Sequence, residues 1–511
     1  MAHTRKRLII AVLWLILSNL PYLLGLLSSS GNLVFSGFVF NPIDGHSYLS
    51  KMRQGWDGGW LFTLPYTAET GKGAFLFSFY LFLGHVSRLL GLDLVVTFHL
   101  ARVLASIFLV YQIDRYVEFT YDEKFGYKDL AFGLVLFGAG LGWIVFLIGQ
   151  MTTDFWVAEA YPFHSAYANP HFALGLGVLL WIFRITNSQV NGKYPLVSIL
   201  SLLLSIIQPF GMVVVIVVLS VSSFVNWIVD KKMDLKTPVL AGLIGGGSLL
   251  YQYWTVQIDP ILRLWNQQNI TTSPALWDVI VSFSPAFILA VVPWFIKIRK
   301  REILSKPLRF SLVWLIAALV VMYIPFNLQR RFITGFSIPV FLLAMVEIGD
   351  LQKSMQQRYS LIKTIFVCTS VPTVILLVIA GCFGVMSKDK SLFLYRDEKL
   401  ALNWIDEQTE VNAIIASSPE MGNFIPAYTG RKVLYGHPFE TINASSQRDF
   451  LQEFFSNDYS AAEMEKFLQE NKVDFLFIGP RERKYGFDPS ISLGETVFQT
   501  DDVMILKINQ P

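Results

Sequence analysis

Long apolar runs, broken by short polar links, recur from Leu8 to Val385. Segments 8–27, 96–118, 129–150, 170–187, 195–208, 210–229, 238–256, 276–298, 309–327, 332–348 and 360–385 read as helices that cross a bilayer, which takes about 20 residues at about 1.5 Å rise each. Ala74 to Leu92 is the segment that decides the count. Placed on the outer surface, it leaves eleven crossings. The inner loops then collect 20 of the 28 Lys and Arg that precede residue 387. The short outer loops keep only Arg263, Arg330 and Arg331, and the first outer segment adds Lys51, Arg53, Lys72 and Arg88. This asymmetry is the positive-inside pattern. Segment 74–92 is therefore predicted to be an interfacial helix, partly buried against the bundle, with His85 and Arg88 facing the headgroups. Gln208-Pro209 predicts a chain break between two apolar runs, because proline cannot continue the hydrogen-bond ladder.

After Lys388 the pattern changes. Helical periodicity over 397–408, 446–455 and 461–471 alternates with short apolar strands at 412–416, 432–435 and 473–478, which predicts a small α/β domain. The domains expected are thus 1–387, a membrane domain whose first outer loop is 28–95, and 388–511. With an odd number of crossings and the amino terminus inside, the second domain lies outside. The fold class is an α-helical polytopic membrane protein of about 11 transmembrane helices with a small C-terminal α/β extracytoplasmic domain.

Composition agrees. Of 511 residues, 53% are hydrophobic and 15% charged, too apolar for a soluble chain of this length. The net charge of +3 conceals a division at the same boundary: the first 386 residues carry +10 and the remainder −7. The basic excess fits inner loops and anionic lipid, not nucleic acid. Leu8–Leu27 behind Arg5-Lys6-Arg7 imitates a signal peptide, but it is long for one and reads as a retained span. Cys368 and Cys382 fall in one predicted helix, about 21 Å apart, too far for a disulfide.

Polar chemistry gathers outside. Asp44 comes just after the first span, behind the turn Asn41-Pro42, where a carboxylate can accept a proton from a hydroxyl. Lys51, Arg53 and Lys72 can neutralise a phosphate, and Glu69 lies among them. The second outer loop holds Asp154, Glu159, His164 and His171. Asn169 and Pro170 read as the N-cap and first residue of a helix whose amino terminus suits an anion. His164 and His171 with Asp154 and Glu159 are also candidate ligands for a divalent metal, although their spacing matches no strong metal motif. Arg330 and Arg331 stand outside against the loop rule, as a phosphate partner would require, and pairing with acidic outer residues would explain them too. Arg102, inside a predicted span, needs an internal partner. Gly138, Gly140 and Gly142, and Gly245-Gly246-Gly247, read as close helix packing and not as a nucleotide loop.

This order of features resembles the GT-C superfamily of polytopic glycosyltransferases. It comprises a short inner tail, a first span, a long outer loop with the early Asp44, an interfacial helix, and Arg102 near the start of the next span. Ser418-Pro419-Glu420-Met421-Gly422 through Thr429-Gly430-Arg431-Lys432-Val433-Leu434-Tyr435-Gly436-His437 looks like the outer carboxy-terminal domain of bacterial members. Gln208-Pro209-Phe210 stands where many members have His-Pro, a departure that bears on any role of a histidine there. The resemblance implies transfer of a sugar from a polyprenyl-phosphate donor to a glycan, lipid or protein acceptor outside the membrane, with inversion. It maps the catalytic base onto Asp44 and a second acid onto Asp154 or Glu159. Two rivals remain at this point: a lipid-glycan transporter or flippase, which calls for charges at mid-membrane, and a non-catalytic membrane scaffold, which has no need of Asp44.

Overall fold

The computed structural model describes residues 2–29, 31–188, 191–302, 304–354, 358–456, 459–488, 491 and 493–509. Six helices are long and apolar enough to cross a membrane: Arg5–Ser28, Leu94–Thr120, Lys128–Phe146, Pro209–Asp230, Gln329–Gln352 and Ser360–Met386. A seventh arises if Leu276–Phe283 and Ala286–Arg299, bent by 102°, count as one span. The other predicted crossings are also helical, at Pro170–Thr186, Lys193–Ile207, Lys236–Ile258 and Lys306–Met322. At Gln208 the backbone leaves helical geometry and Pro209 opens the next helix, so this stretch is two helices, as the proline predicts. Cys368 and Cys382 lie in successive helices, Tyr359–Ser370 and Pro372–Met386, and both are free.

Contacts divide the chain into two compact units. The first comprises Met1–Pro21, His99–Leu250 and Thr271–Cys382. Its core is aromatic and aliphatic, with Trp14, Trp294 and Trp314 fully buried. Trp14 spends its indole N–H on the carbonyl of Leu136, 2.9 Å away. Arg102 has the internal partners its position demands: its guanidinium donates to the carbonyls of Ser18 and Ala166 and to Oδ1 of Asn19, at 3.2, 2.9 and 2.7 Å. The outward faces are apolar, as on Leu8, Ile9, Val12, Leu13 and Ile16, which suits lipid rather than water.

The second unit comprises Tyr22–Phe98, Tyr251–Ile270 and Phe383–Pro511. Its strands are β1 (Leu33–Phe35), β2 (Phe393–Tyr395), β3 (Ile414–Ala416), β4 (Lys432–Val433), β5 (Phe475–Ile478), β6 (Glu495–Gln499) and β7 (Met504–Lys507). β1 and β2 form an antiparallel pair, so residues just after the first helix are stitched to residues just after the last span. The remaining five make one sheet in the order β4-β3-β5-β7-β6, parallel through its first three strands and antiparallel beyond. Helices Arg396–Gln408, Ala444–Phe455 and Ala461–Glu470 stand where the periodicity predicts them. Pro419–Thr429, within the stretch that carries the family resemblance, is a further helix.

Segment 28–95 is more ordered than its polarity suggests. It contains a helix, Pro42–Trp56, that packs on two others, Ser78–Leu90 and Pro419–Thr429. Gly84 is required at the first crossing: a Cβ there would lie 1.9 Å from the carbonyl oxygen of Met52. Helix Ser78–Leu90 is too short to cross, at about 20 Å against a hydrocarbon thickness of about 30 Å. It buries Tyr80, Leu81 and Leu83 and exposes Phe82, Leu89 and Leu90. His85 meets the carbonyl of Gly59 at 3.0 Å and stacks on Trp60, while Arg88, which is exposed, donates to the carbonyl of Trp56.

Candidate functional site

In the second unit the candidate chemistry is organised by helix Pro42–Trp56. Asn41 precedes it with φ 53°, a left-handed conformation that asparagine tolerates better than most residues, and Pro42 fixes the first helical position. Asp44 therefore stands in the first turn, where the helix dipole favours a negative charge. Its Oδ2 accepts from the Asn41 side-chain amide at 2.8 Å, and its Oδ1 meets Nε2 of His437 at 3.1 Å. The carboxylate is held on both oxygens yet remains 41% exposed.

Two turns further along, the helix presents a buried cation. Lys51 is fully buried and its ammonium donates to both oxygens of Glu440, at 2.8 and 3.1 Å, and to Ser47 Oγ at 2.6 Å. Ser47 Oγ–H in turn donates to Glu440. Phe77 and Tyr48 present their rings to the same ammonium, 4.6 and 5.1 Å away. Burial raises the Glu440 carboxyl, but the Lys51 ammonium, helped by the Ser47 hydroxyl, outweighs it and holds the group below the ordinary glutamate value. His46 is buried between Phe38 and Phe424, its Nδ1 against Asn423 Oδ1 at 2.9 Å, and desolvation lowers it to about 3. Arg53 is committed to Asp406 at 2.7 Å and Asp57 at 3.0 Å. Lys51 and Arg53 thus bind residues 406 and 440 of their own unit.

Glu69 and Lys72 are exposed on the loop that follows. Lys72 anchors through its backbone, whose N–H donates to Asp259 Oδ2 at 2.7 Å, and its ammonium makes no ion pair among the described residues. Asp259 also caps helix Pro260–Gln268, accepting from the N–H groups of Ile261 and Leu262.

In the first unit, the second-loop candidates divide by accessibility. Asp154 has no exposed surface. Its carboxylate accepts from the N–H groups of Gly140 and Gly142 and from the hydroxyls of Thr152 and Thr373, at 2.7 to 3.3 Å. Burial raises it against the lowering effect of Thr152, Thr373 and the Gly142 N–H. Gly142 is needed there because a Cβ would lie 2.0 Å from Asp154 Oδ1, whereas Gly138 and Gly140 serve close packing as expected, since a Cβ would lie 2.3 Å from the Phe341 ring and 2.2 Å from the Ser282 backbone. His164 is buried, with Nε2 against the Asp154 carbonyl at 2.8 Å, and burial lowers it to about 4. His171 is 8% exposed and stacks against Phe172. Asn169 occupies the cap position expected, but its side chain makes no capping bond. Glu159 is different. Its residue is 6% exposed, its carbonyl accepts from Gly335, and its carboxylate makes no hydrogen bond among the described residues. Gly335 closely follows the turn Gln329–Ile333, where Arg330 lies over the Trp156 ring at 4.6 Å and Arg331 over Phe210 at 5.6 Å.

Among the described residues no three His, Cys, Asp or Glu side chains gather to hold a metal ion. The second-loop set fits a metal poorly for a visible reason, since protein donors surround the Asp154 carboxylate. The sequence reading missed Glu440 altogether and gave His437 no role. The available signal was the short polar link Gly436-His437-Pro438-Phe439-Glu440-Thr441, which follows a strand.

No protein-family model matches this chain, and no curated protein matches it. Solved structures do. The oligosaccharyltransferase of Archaeoglobus fulgidus, tethered to an acceptor peptide with an NVT sequon, aligns with TM-score 0.57 and 10% identity over 93% of this chain and 69% of that one. The same enzyme has a comparable structure with Zn and sulfate, at TM-score 0.56 and 11% identity over 92% and 67%. ArnT from Cupriavidus metallidurans, bound to undecaprenyl phosphate, aligns with TM-score 0.52 and 11% identity over 98% and 97%. Mycobacterial arabinofuranosyltransferase AftD gives TM-score 0.51 and 13% identity over 99% of this chain and 42% of that one. The chain shares its fold with these solved proteins.

Proposed function

We propose that this chain is a membrane glycosyltransferase that moves a sugar from a polyprenyl-phosphate donor to an acceptor on the outer face. What supports the reading most is a single observation. Within a multi-pass chain of this fold, Asp44 is a carboxylate held on both oxygens yet open to approach. The acceptor hydroxyl attacks the anomeric carbon, its proton passes to Asp44, and the bond from the anomeric carbon to the phosphate oxygen breaks with inversion. Polyprenyl phosphate departs with the electron pair. Lys72 is the cation of the second unit suited to that phosphate, because Lys51 and Arg53 are already paired. Arg330 and Arg331, offered over aromatic rings, are the suited cations of the first unit. Glu159, with its unengaged carboxylate, is the second acid in preference to Asp154.

In this reading the chain crosses eleven times, with the amino terminus inside and residues 388–511 outside. The solved relatives in complex with undecaprenyl phosphate and with an acceptor peptide favour a lipid-linked donor and a polymeric acceptor. The test is Asp44→Asn in the purified full chain, supplied with total lipid extract and envelope fraction from its host. Transfer is expected to fall about 10²–10⁴-fold, with retention of polyprenyl phosphate nearly unchanged. Transfer at the wild-type rate by a folded variant would overturn the assignment of Asp44.

A further inference from the structure

His437 meets Asp44 through one nitrogen and the backbone through the other. Its Nδ1 lies 3.1 Å from the N–H of Phe439 and 3.2 Å from the N–H of Glu440. Two backbone donors on one nitrogen require that nitrogen to be an acceptor, so Nδ1 carries no proton. The ring proton then sits on Nε2, which points at Asp44 Oδ1 3.1 Å away. The imidazole is therefore a fixed donor to the carboxylate, from a side chain that is 3% exposed.

The segment that presents the ring is fastened at several points. Thr441 Oγ1 accepts from the N–H groups of Gly436 and His437. The Asn423 side-chain amide donates to the Gly436 carbonyl at 3.1 Å and to the Ile43 carbonyl at 3.3 Å, one residue from Asp44. Glu440, three residues on, receives Lys51 and Ser47 of the same helix.

We infer that His437 is a positioning residue for Asp44: an imidazole, locked as its Nε2–H tautomer by the two backbone donors on Nδ1, that aims the carboxylate. This rests on Asp44 being the base. A donor to the charged form lowers a carboxyl's pKa, so losing it raises that pKa. The acidic limb of the rate profile then moves up, because the base must be unprotonated to act. Lys51, Glu440 and Tyr66 also face this turn, and each stays in place when His437 alone is changed.

The experiment compares His437→Leu, His437→Gln and Asp44→Asn in the full chain in lipid nanodiscs, again with host lipid extract and envelope fraction. Leucine removes both functions of the ring, whereas glutamine keeps a donor and an acceptor. His437→Leu is expected to lower kcat about 10–10²-fold with little change in KM, as misaimed groups do. Its acidic limb should rise by about one to two pH units, the worth of one hydrogen bond to a charged group. His437→Gln should restore the limb and most of the rate. Nitrogen NMR of histidine-labelled wild-type protein should show Nδ1 of His437 unprotonated and Nε2 protonated. A protonated Nδ1, or a His437→Leu limb at the wild-type position, overturns the inference. If Asp44→Asn is inactive in that case, the reading of Asp44 still stands. If Asp44→Asn is fully active, both fall together.

Discussion

Removing either partner of the Lys51–Glu440 pair is expected to damage the second unit more than removing both. The ammonium is fully buried and the carboxylate nearly so, 2.8 Å apart. At that separation the attraction is about 6 kcal/mol with an effective dielectric of about 20, before desolvation is subtracted. Desolvation cancels most of it, so the intact pair adds little net stability. Breaking it is another matter. Glu440→Leu strands an ammonium among Tyr48, Phe62 and Phe77, and Lys51→Met strands a carboxylate beside Ser47. Each single change should cost about 3–5 kcal/mol. For a cooperative unit of this size that is a fall in Tm of about 6–20 °C. The double variant Lys51→Met with Glu440→Leu fills the site with apolar volume and strands no charge, so it should lose less than either single change. The measurement is a double-mutant cycle by thermal unfolding in nanodiscs. Singles that lose less than about 1 kcal/mol, or a double that loses the sum of both, would refute the reasoning, because neither outcome is compatible with a desolvated, coupled pair.

Three further outcomes are expected. Glu482 is buried and pushed up to about 7 by desolvation, although it accepts from Ser418 and from the Gly479 N–H. A raised folded-state value means stability is full below the ordinary glutamate value and declines as pH rises through about 7, by an amount on the order of 3 kcal/mol; Glu482→Gln should flatten that slope in thermal unfolding. Gly142→Ala forces a methyl onto Asp154 and should cost at least about 1–3 kcal/mol, whereas Gly247→Ala meets no atom within 4 Å and should be neutral or stabilising by about 0.5–1 kcal/mol; folded yield of the two variants separates them. Reporter fusions at Lys232 and Ser391 should give opposite signals, and equal signals would refute an amino terminus inside with residues 388–511 outside.

Helices were legible wherever their apolar stretch was continuous. Every segment expected to cross is helical, and the bend at Ser284-Pro285 and the break at Gln208 fall at prolines. The C-terminal strands with β-branched runs were legible too, apart from their ends. β6 and β7 were missed because Glu495 to Gln499 exposes most of its side chains and offers no hydrophobic alternation. Helix Pro42–Trp56 was missed for the converse reason. Besides Leu49 and Met52 it buries Gly45, His46, Ser47, Ser50, Lys51 and Gly55, so its inward face is built mostly from small and polar groups. Periodicity searches look for apolar stripes, and two apolar residues do not make one.

The same blind spot explains what was seen and missed at the site. Asp44 was legible because its neighbours in sequence, Asn41 and Pro42, define its turn. Its partner is 393 residues away, and no local pattern announces a contact of that length. Cations were over-assigned to phosphate for a related reason. A sequence displays charge without its partner, and Arg53 and Lys51 look like Lys72 until Asp406 and Glu440 are seen beside them. The paired cations lie on helix Pro42–Trp56, where both bond residues 406–440, while Lys72 lies on an exposed loop fixed only through its backbone. Fixing a loop by its N–H and leaving its ammonium unpaired keeps the charge available to a ligand without loosening the chain that carries it. Lys72→Met should therefore weaken retention of polyprenyl phosphate with little change in Tm, whereas Arg53→Met should lower Tm first, and a Lys72→Met variant that binds the lipid normally would remove that residue from the site.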